Sequence, residues 1–245
     1  MRCSDEAIII SVRSHGEAAA IVEVFTRNYG RILGFFYGGQ SRKQRALLQI
    51  GNHVDIVWHA RLSQHLGRIQ LELRTSYAAR VIEDFSGLAM LASMTALMRF
   101  IPERDPHIKL FDISIFVLNF LNNLSVWPAL YVRWELTLLD ELGYGLDLES
   151  CAATQARENL VYVSPRSGNA ISYEVGMPYK DKLLPLPQFL LGNHTSVPSV
   201  DEILDGLKLT GFFLAARLRN QQGCLVHDAR KRLVTLLQSS IVKVA

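Results

Sequence analysis

The stretch that decides the fold is residues 7–37, AIIISVRSHGEAAAIVEVFTRNYGRILGFFY. It holds three short runs rich in β-branched and aromatic residues, at residues 7–13, 19–27 and 30–37. The turn Asn28-Tyr29-Gly30 separates the second run from the third. Runs of this kind joined by short polar connections predict antiparallel strands and hairpins.

Two further runs, residues 54–58 and 68–73, alternate between apolar and polar side chains, as half-buried strands do. In the second run Ile69, Leu71 and Leu73 share one face. Five short strands at the start of a chain favour a small barrel, closed or partly open. Residues 38–45, GGQSRKQR, are predicted to form a flexible basic loop before the fourth strand.

Beyond residue 79 the apolar period becomes helical, and two prolines end the first helical stretch. The sequence therefore predicts an α+β multi-domain protein, with a barrel domain at residues 1–79 and a helical domain at residues 80–245. An irregular segment at residues 146–172 is predicted to carry a strand-turn-strand unit. Helices are expected at residues 79–100, 107–123, 128–142, 180–191, 200–220 and 227–240.

Composition limits the class of protein. Apolar residues make up 49% of the 245 and charged residues 20%, which is an ordinary globular balance. There is no apolar run long enough for a transmembrane helix and no signal-peptide pattern at the N-terminus. Cys3, Cys151 and Cys224 are widely separated, which argues against a disulfide framework. We therefore expect a cytoplasmic protein.

The net charge of +3 is unevenly distributed. Residues 1–80 hold eleven basic and six acidic side chains, a net charge of +5, and the remainder has −2. A basic first domain is suited to a polyanion such as nucleic acid, although a solvated surface with a chance imbalance would look the same.

No local motif for catalysis is present: the sequence has no GxSxG, no phosphate-binding GxxxxGK[ST] and no HExxH. The adjacent acid pairs, such as Asp201-Glu202, point to different helical faces and cannot converge on one bond. Asp201-Glu202 also follows Ser199, a suitable helix N-cap. Binding is therefore expected rather than catalysis, with an enzyme built from dispersed residues as an alternative.

A five-stranded barrel with a basic loop matches the oligonucleotide-binding (OB) fold, which follows a phosphate backbone with cations and stacks bases on aromatic rings. Phe35 and Phe36 alternate, so one of them is expected to be buried, and Tyr37 and Trp58 are nearby. The alternative for each aromatic residue is the barrel core, and for the basic cluster it is a plain solvated loop. The predicted DNA-binding residues are Arg31, Arg42, Lys43, Arg45, Arg61 and Arg68.

The chain resembles the RecO family of bacterial recombination mediators along nearly its whole length. At the N-terminus the resemblance rests on His15-Gly16-Glu17, on residues 20–26 (AIVEVFT) and on Tyr29-Gly30-Arg31-Ile32. Further along it rests on residues 133–136 (RWEL), 142–151 (LGYGLDLESC) and 161–170 (VYVSPRSGNA). The order and spacing of these pieces carry the resemblance.

One feature departs from the family pattern. Many relatives carry four cysteines in a zinc module, and here only Cys151 stands at such a position, with Thr154 where a CxxC partner is expected. One thiolate cannot supply the four ligands of a structural zinc. We therefore expect a version of the module without zinc, no metal, no cofactor, and Cys151 as a small buried residue.

The resemblance implies a protein that binds single- and double-stranded DNA and anneals complementary strands. It also implies action with RecR to load RecA onto DNA coated by single-strand-binding protein (SSB), and binding of the acidic SSB tail by the helical domain. Arg133 beside Trp134 is the predicted tail site, with an internal salt bridge of Arg133 as the alternative. An RNA-binding barrel without mediator activity remains the alternative function.

Overall fold

The computed structural model describes residues 2–16, 19–38, 42–61, 66–192, 197–217 and 224–241. The chain divides into two compact units. One comprises Met1–Asn122 with Asp228–Leu233, and the other comprises Asn123–His227 with Val234–Ala245.

Five strands close into a barrel in the order β1-β2-β3-β5-β4, which confirms the predicted OB-type architecture. The pairs are antiparallel except for β3 with β5. β1 is long enough to pair with β4 through its first half and with β2 through its second half, and this closes the barrel. The strands are β1 (Arg2–His15), β2 (Ala19–Thr26), β3 (Gly30–Tyr37), β4 (His53–His59) and β5 (Gly67–Thr75).

The barrel interior is filled by the inward-facing side chains of all five strands, as alternation predicts. Phe36 and Trp58 belong to this core, and Phe35 is only half-buried, so one phenylalanine of the pair is inside as expected. The Trp58 indole nitrogen donates to the Leu33 carbonyl at 3.0 Å, which satisfies its buried polar group. Each fully buried side chain of this size contributes roughly 1.5–3 kcal/mol.

The predicted turn before β3 depends on Gly30. Its φ is +68°, in the left-handed region, and a Cβ there would overlap the backbone of Asp105. Glycine is the residue that meets both requirements. The turn thereby fixes the hairpin against the loop that contains Asp105.

Among the described residues up to Asn122, four helices accompany the barrel, and two expectations fail here. The predicted helix at residues 79–100 is interrupted, because Asp84 leaves the helical conformation and caps a new helix by accepting from the Ser86 amide at 2.9 Å. Part of the predicted basic loop is helical, while residues 39–41 lie outside the described residues. The helices are α1 (Arg42–Leu47), α2 (Tyr77–Arg80), α3 (Phe85–Met98) and α4 (Ile108–Asn119).

The second unit begins with α5 (Trp127–Glu141), which has Pro128 in its first turn as predicted. The strand-turn-strand prediction is confirmed, and a third short strand joins it. The expected helix at residues 180–191 is wrong: two short 3-10 helices flank that third strand instead. These elements are β6 (Leu160–Val163), β7 (Ala170–Ser172), α6 (Tyr173–Gly176) and β8 (Leu184–Pro185).

The last two helices are α7 (Val200–Arg217) and α8 (Cys224–Ile241), close to the predicted ranges. α7 starts with a reciprocal capping box, in which the Ser199 amide donates to Glu202 at 2.9 Å and the Glu202 amide donates to Ser199 Oγ at 3.2 Å. Among the described helices, none combines the length and apolar character that crossing a membrane requires.

Candidate nucleic-acid interface

A continuous row of outward-facing positions crosses the five strands. Cα partners in neighbouring strands place side chains on the same face of a sheet. Starting from β1, the register leads across β2, β3, β5 and β4 and returns to the other end of β1. With strands about 4.8 Å apart, the row is about 24 Å long. Its members in order are Arg13, Ile21, Phe35, Arg68, His59 and Arg2.

The arginines of this row are exposed, and a concave surface lined by Arg2, His59 and Arg61 extends it. We refer to Arg2, Arg13, Arg61 and Arg68 as the basic band. Within the part of the chain that the structure describes, no acidic side chain forms an ion pair with any of the four. Their charges are therefore available to an external anion.

Other arginines of the same unit are neutralised by carboxylates. Arg27 donates to both carboxylate oxygens of Asp112 at 2.7 and 2.9 Å, and this contact lowers the pKa of Asp112. Arg74 pairs with Asp55 at 2.7 Å and with Glu6 at 2.9 Å. Ion pairing thus separates the arginines that hold the fold together from those of the basic band.

The outer face of β1, β4 and β5 carries a gradient of charge. The row Arg2, His59, Arg68 lies at one end, and a row of Ser4, Val57 and Gln70 follows it. The next row is acidic and consists of Glu6, Asp55 and Glu72. Rows on one face are about 7 Å apart, so the sign of the charge reverses within about 14 Å. A polyanion is therefore attracted to the basic end, while at the acidic end Arg74 is already paired with Glu6 and Asp55.

Aromatic rings accompany the basic band. The Arg68 guanidinium lies over the Tyr37 ring, 5.0 Å from its centroid, and 61% of Tyr37 is exposed. The His15 and Phe35 rings are 5.1 Å apart. Exposed rings beside cations are what single-stranded nucleic acid requires, because bases stack on rings while phosphates contact cations.

Two predicted DNA-binding residues, Arg61 and Arg68, belong to the basic band, and a third, Arg31, does not. Arg31 pairs with the buried Glu23 and lies 3.8 Å from Glu103, and its Nε donates to the Ile101 carbonyl at 2.8 Å. A charge neutralised in this way is not available to phosphate. We therefore leave Arg31 out of the interface.

The other three predicted cations, Arg42, Lys43 and Arg45, lie on α1 rather than on a loop. Arg45 is exposed, and the side chains of Arg42 and Lys43 lie outside what the structure describes. These three cations therefore belong to a short helix that precedes β4.

The two residues predicted to bind the SSB tail differ in their exposure to solvent. Trp134 is fully buried and stacks on Tyr131 at 5.8 Å, so its ring lies in the core of the helical unit. Arg133 is exposed, and its Nη2 donates to the Phe189 carbonyl. That hydrogen bond joins α5 to the short 3-10 helix Gln188–Leu191 and is close to the internal contact considered as the alternative.

Cys151 is buried, as expected, and accepts a hydrogen bond from the Ser172 amide at 3.3 Å. Burial raises the pKa of its thiol, but hydrogen bonds from Thr154 and Ser172 outweigh burial and lower the pKa to about 6. Across the described ranges, no three His, Cys, Asp or Glu side chains converge as metal ligands.

Sequence reasoning missed Arg2 and Arg13 as parts of the basic band, although it named Tyr37 among the nearby aromatic residues. Arg2 and Arg13 are separated by eleven positions of one strand, and only the barrel register places both on a single row. The alternation of Arg2, Cys3 and Ser4 between exposed and buried positions is the signal that would have marked Arg2 as outward-facing.

The fold and the basic band define the first unit as a barrel of the oligonucleotide-binding class. Two family models match the chain: "Recombination protein O N terminal" over residues 1–77 and "Recombination protein O C terminal" over residues 82–223. The chain therefore belongs to the RecO family.

Curated relatives agree with this membership. A DNA repair protein RecO of Rhizobium etli is 45% identical over 236 residues, which cover 96% of this chain and 91% of the relative. That of Rhodospirillum centenum is 46% identical over 237 residues, 96% of this chain and 94% of the relative. That of Bartonella quintana is 43% identical over 239 residues, 97% and 98% of the two chains.

Proposed function

We propose that this protein acts in recombinational DNA repair as a DNA-binding mediator. It binds single- and double-stranded DNA, brings complementary strands together and, with RecR, helps to load RecA onto DNA coated by SSB. Family membership supports the role in repair. The observation that carries DNA binding is the basic band, whose exposed arginines have no carboxylate partner among the described residues.

The mechanism requires no chemical step on DNA. Contacts from arginine to phosphate are independent of sequence, so the pairing of strands is decided by the bases. Neutralising two phosphate backbones lowers their mutual repulsion and leaves the base edges accessible. We therefore infer that this RecO-family protein works by binding rather than by catalytic turnover. We also infer that it acts in the bacterial cytoplasm.

For the acidic SSB tail we propose Arg133 as the cation that receives a carboxylate, with the tail bound by the helical unit. Arg133 is exposed at the surface of α5, and a guanidinium is suited to a carboxylate. We expect Arg133→Ala to weaken binding of an SSB-tail peptide and to leave DNA binding unchanged. Equal peptide affinity of this variant and the unmodified protein would remove Arg133 from the site.

The test of the main proposal is annealing of two complementary fluorescent oligonucleotides, with and without the protein, over a series of salt concentrations. We expect acceleration that declines as salt rises, because salt weakens phosphate contacts. Binding of DNA without acceleration would contradict the annealing role. Tighter binding of RNA than of DNA of equal length would replace the proposal with an RNA-binding barrel.

A further inference from the structure

A small cavity opens into the barrel and has no role in the function proposed so far. Its volume is about 150 Å³. Its floor is formed by the buried side chains of Cys3, Ile32 and Trp58, which come from β1, β3 and β4. The more exposed side chains of Asn28, Tyr29 and Arg104 surround its opening.

The volume of the cavity limits the size of a ligand that can bind in it. A cavity of about 150 Å³ with apolar walls accommodates a single six-membered aromatic ring such as benzene. Two fused rings are larger than that. Burial raises the pKa of the Cys3 thiol, so this wall is uncharged at neutral pH, and the Trp58 indole offers an aromatic surface.

The polar groups at the opening suit a ring with hydrogen-bonding edges. The Asn28 amide nitrogen donates to Asp5 at 2.8 Å, which fixes the orientation of the side chain. The Arg104 guanidinium lies 5.7 Å from the Trp58 ring centroid. Asn28 and Arg104 both line the cavity, and an amide and a guanidinium are groups that hydrogen-bond the polar edges of a pyrimidine base.

The backbone at Arg104 is also unusual. Its φ of +61° is in the left-handed region, which side chains other than glycine rarely adopt, and its amide donates to the Arg31 carbonyl at 3.0 Å. Conformations of this kind persist where the surrounding structure enforces them, and they are concentrated at ligand sites. Here the conformation accompanies the placement of a guanidinium over an aromatic ring.

The cavity adjoins the basic band along two strands. Cys3 follows Arg2 in β1, and Trp58 precedes His59 in β4. Arg2 is the first residue of β1 and His59 is the last residue of β4, so a DNA strand held at Arg2 passes the same end of these two strands at which Cys3 and Trp58 line the cavity. In a duplex the bases are paired and stacked, and they are unable to enter a cavity.

We propose that this cavity binds one unstacked pyrimidine base of a single DNA strand held by the basic band. The inference rests on the proposed DNA binding and adds a site that distinguishes single strands from duplexes. Phosphate contacts at the band are made by both forms of DNA, and the cavity contributes only when a base is free to leave the stack.

The test compares two strands with the same backbone, one of thymidines and one of abasic tetrahydrofuran residues, by fluorescence anisotropy on the full-length protein. We expect the thymidine strand to bind about fivefold to a hundredfold more tightly, the range for stacking of one base on an aromatic side chain. Cys3→Leu fills the cavity from its floor without altering charge. In that variant we expect the difference between the strands to fall to what stacking on exposed rings such as Tyr37 supplies, and the affinity for duplex DNA to stay unchanged.

A second variant addresses the opening and has a matched control. Arg104→Ala and Arg80→Ala each remove one arginine that lies over an aromatic ring, Trp58 and Tyr77 respectively, but Arg80 does not line the cavity. We expect only Arg104→Ala to reduce the preference for the thymidine strand. The circular dichroism spectrum and the midpoint of urea unfolding show whether each variant is folded.

Two results would overturn the inference. One is equal affinity of the unmodified protein for the thymidine and abasic strands, and the other is a folded Cys3→Leu variant that retains the full preference. In both cases binding that weakens with salt would remain, and the proposed function would stand. If instead the protein binds neither strand, the proposed DNA binding fails together with the inference.

Discussion

The most direct test of the basic band removes two neighbouring arginines that have no carboxylate partner in the described structure. Arg2 and Arg68 lie on either side of His59 in the same row. Each cation that neutralises a phosphate of single-stranded DNA contributes about 0.7 to the slope of log K against log salt. Replacing both with alanine should therefore lower the slope by about 1.4.

The same slope gives the expected loss of affinity. If these contacts contribute little at about 1 M salt, a slope lower by 1.4 corresponds to about 25-fold weaker binding at about 0.1 M. The assay is fluorescence anisotropy with a labelled single strand, repeated between about 0.05 and 0.2 M salt. The fold should be retained, because both side chains are exposed.

The control is the double variant Arg27→Ala and Arg74→Ala, which removes the same net charge from the same unit. These two arginines are paired with Asp112 and with Asp55 and Glu6. We expect the salt slope of the control to equal that of the unmodified protein. If both double variants lowered the slope equally, binding would depend on net charge alone, and the argument from ion pairing would be refuted.

Three further predictions concern other parts of the first unit. Replacing the α1 cations Arg42, Lys43 and Arg45 with alanine should reduce the salt slope of duplex-DNA binding by up to about 3 without loss of fold, and unchanged affinity would exclude α1 from the interface. Glu23→Ala should lower the free energy of unfolding in urea by about 3 kcal/mol, because Arg31 and Arg99 both pair with this buried carboxylate, and a loss below about 1 kcal/mol would contradict this role. Asp112 has a lowered pKa beside Arg27, so its contribution to stability is complete above the ordinary carboxyl pKa of about 4 and is lost as the pH falls through the lowered value. The stability curves of Asp112→Asn and the unmodified protein should therefore converge in acid, and a constant difference at all pH values would show that this pair does not titrate as described.

The barrel could be predicted because its signals are local. Alternation in residues 19–27 and 68–73 and the turn at Gly30 specify strands and hairpins without knowledge of their partners. The helix starting at Trp127 is equally local, with Pro128 in its first turn. The interruption of the helix before Phe85 was missed because no proline marks it and it depends on the cap that Asp84 forms with the Ser86 amide.

The roles of individual charged residues could not be predicted, because they depend on partners that are distant in sequence. Arg31 is neutralised by Glu23 across a hairpin and by Glu103 from a loop about seventy residues away. Trp134 is different, since the spacing of Trp127, Tyr131, Trp134 and Leu138 along α5 is that of one buried helical face. That spacing was available in the sequence and would have placed Trp134 in the core.

The division between paired and unpaired arginines connects the stability of the barrel with its proposed function. At the acidic end of the β1-β4-β5 face, Glu6 and Asp55 form ion pairs with Arg74. The Arg74 cation therefore stabilises the protein instead of binding DNA. At the other end the same strands present Arg2 and Arg68 without a carboxylate in the described structure. A phosphate backbone supplies the missing negative charge only at that end. In the proposed function the gradient limits a DNA strand to the basic end of the barrel, where Arg2 and His59 adjoin Cys3 and Trp58 of the cavity.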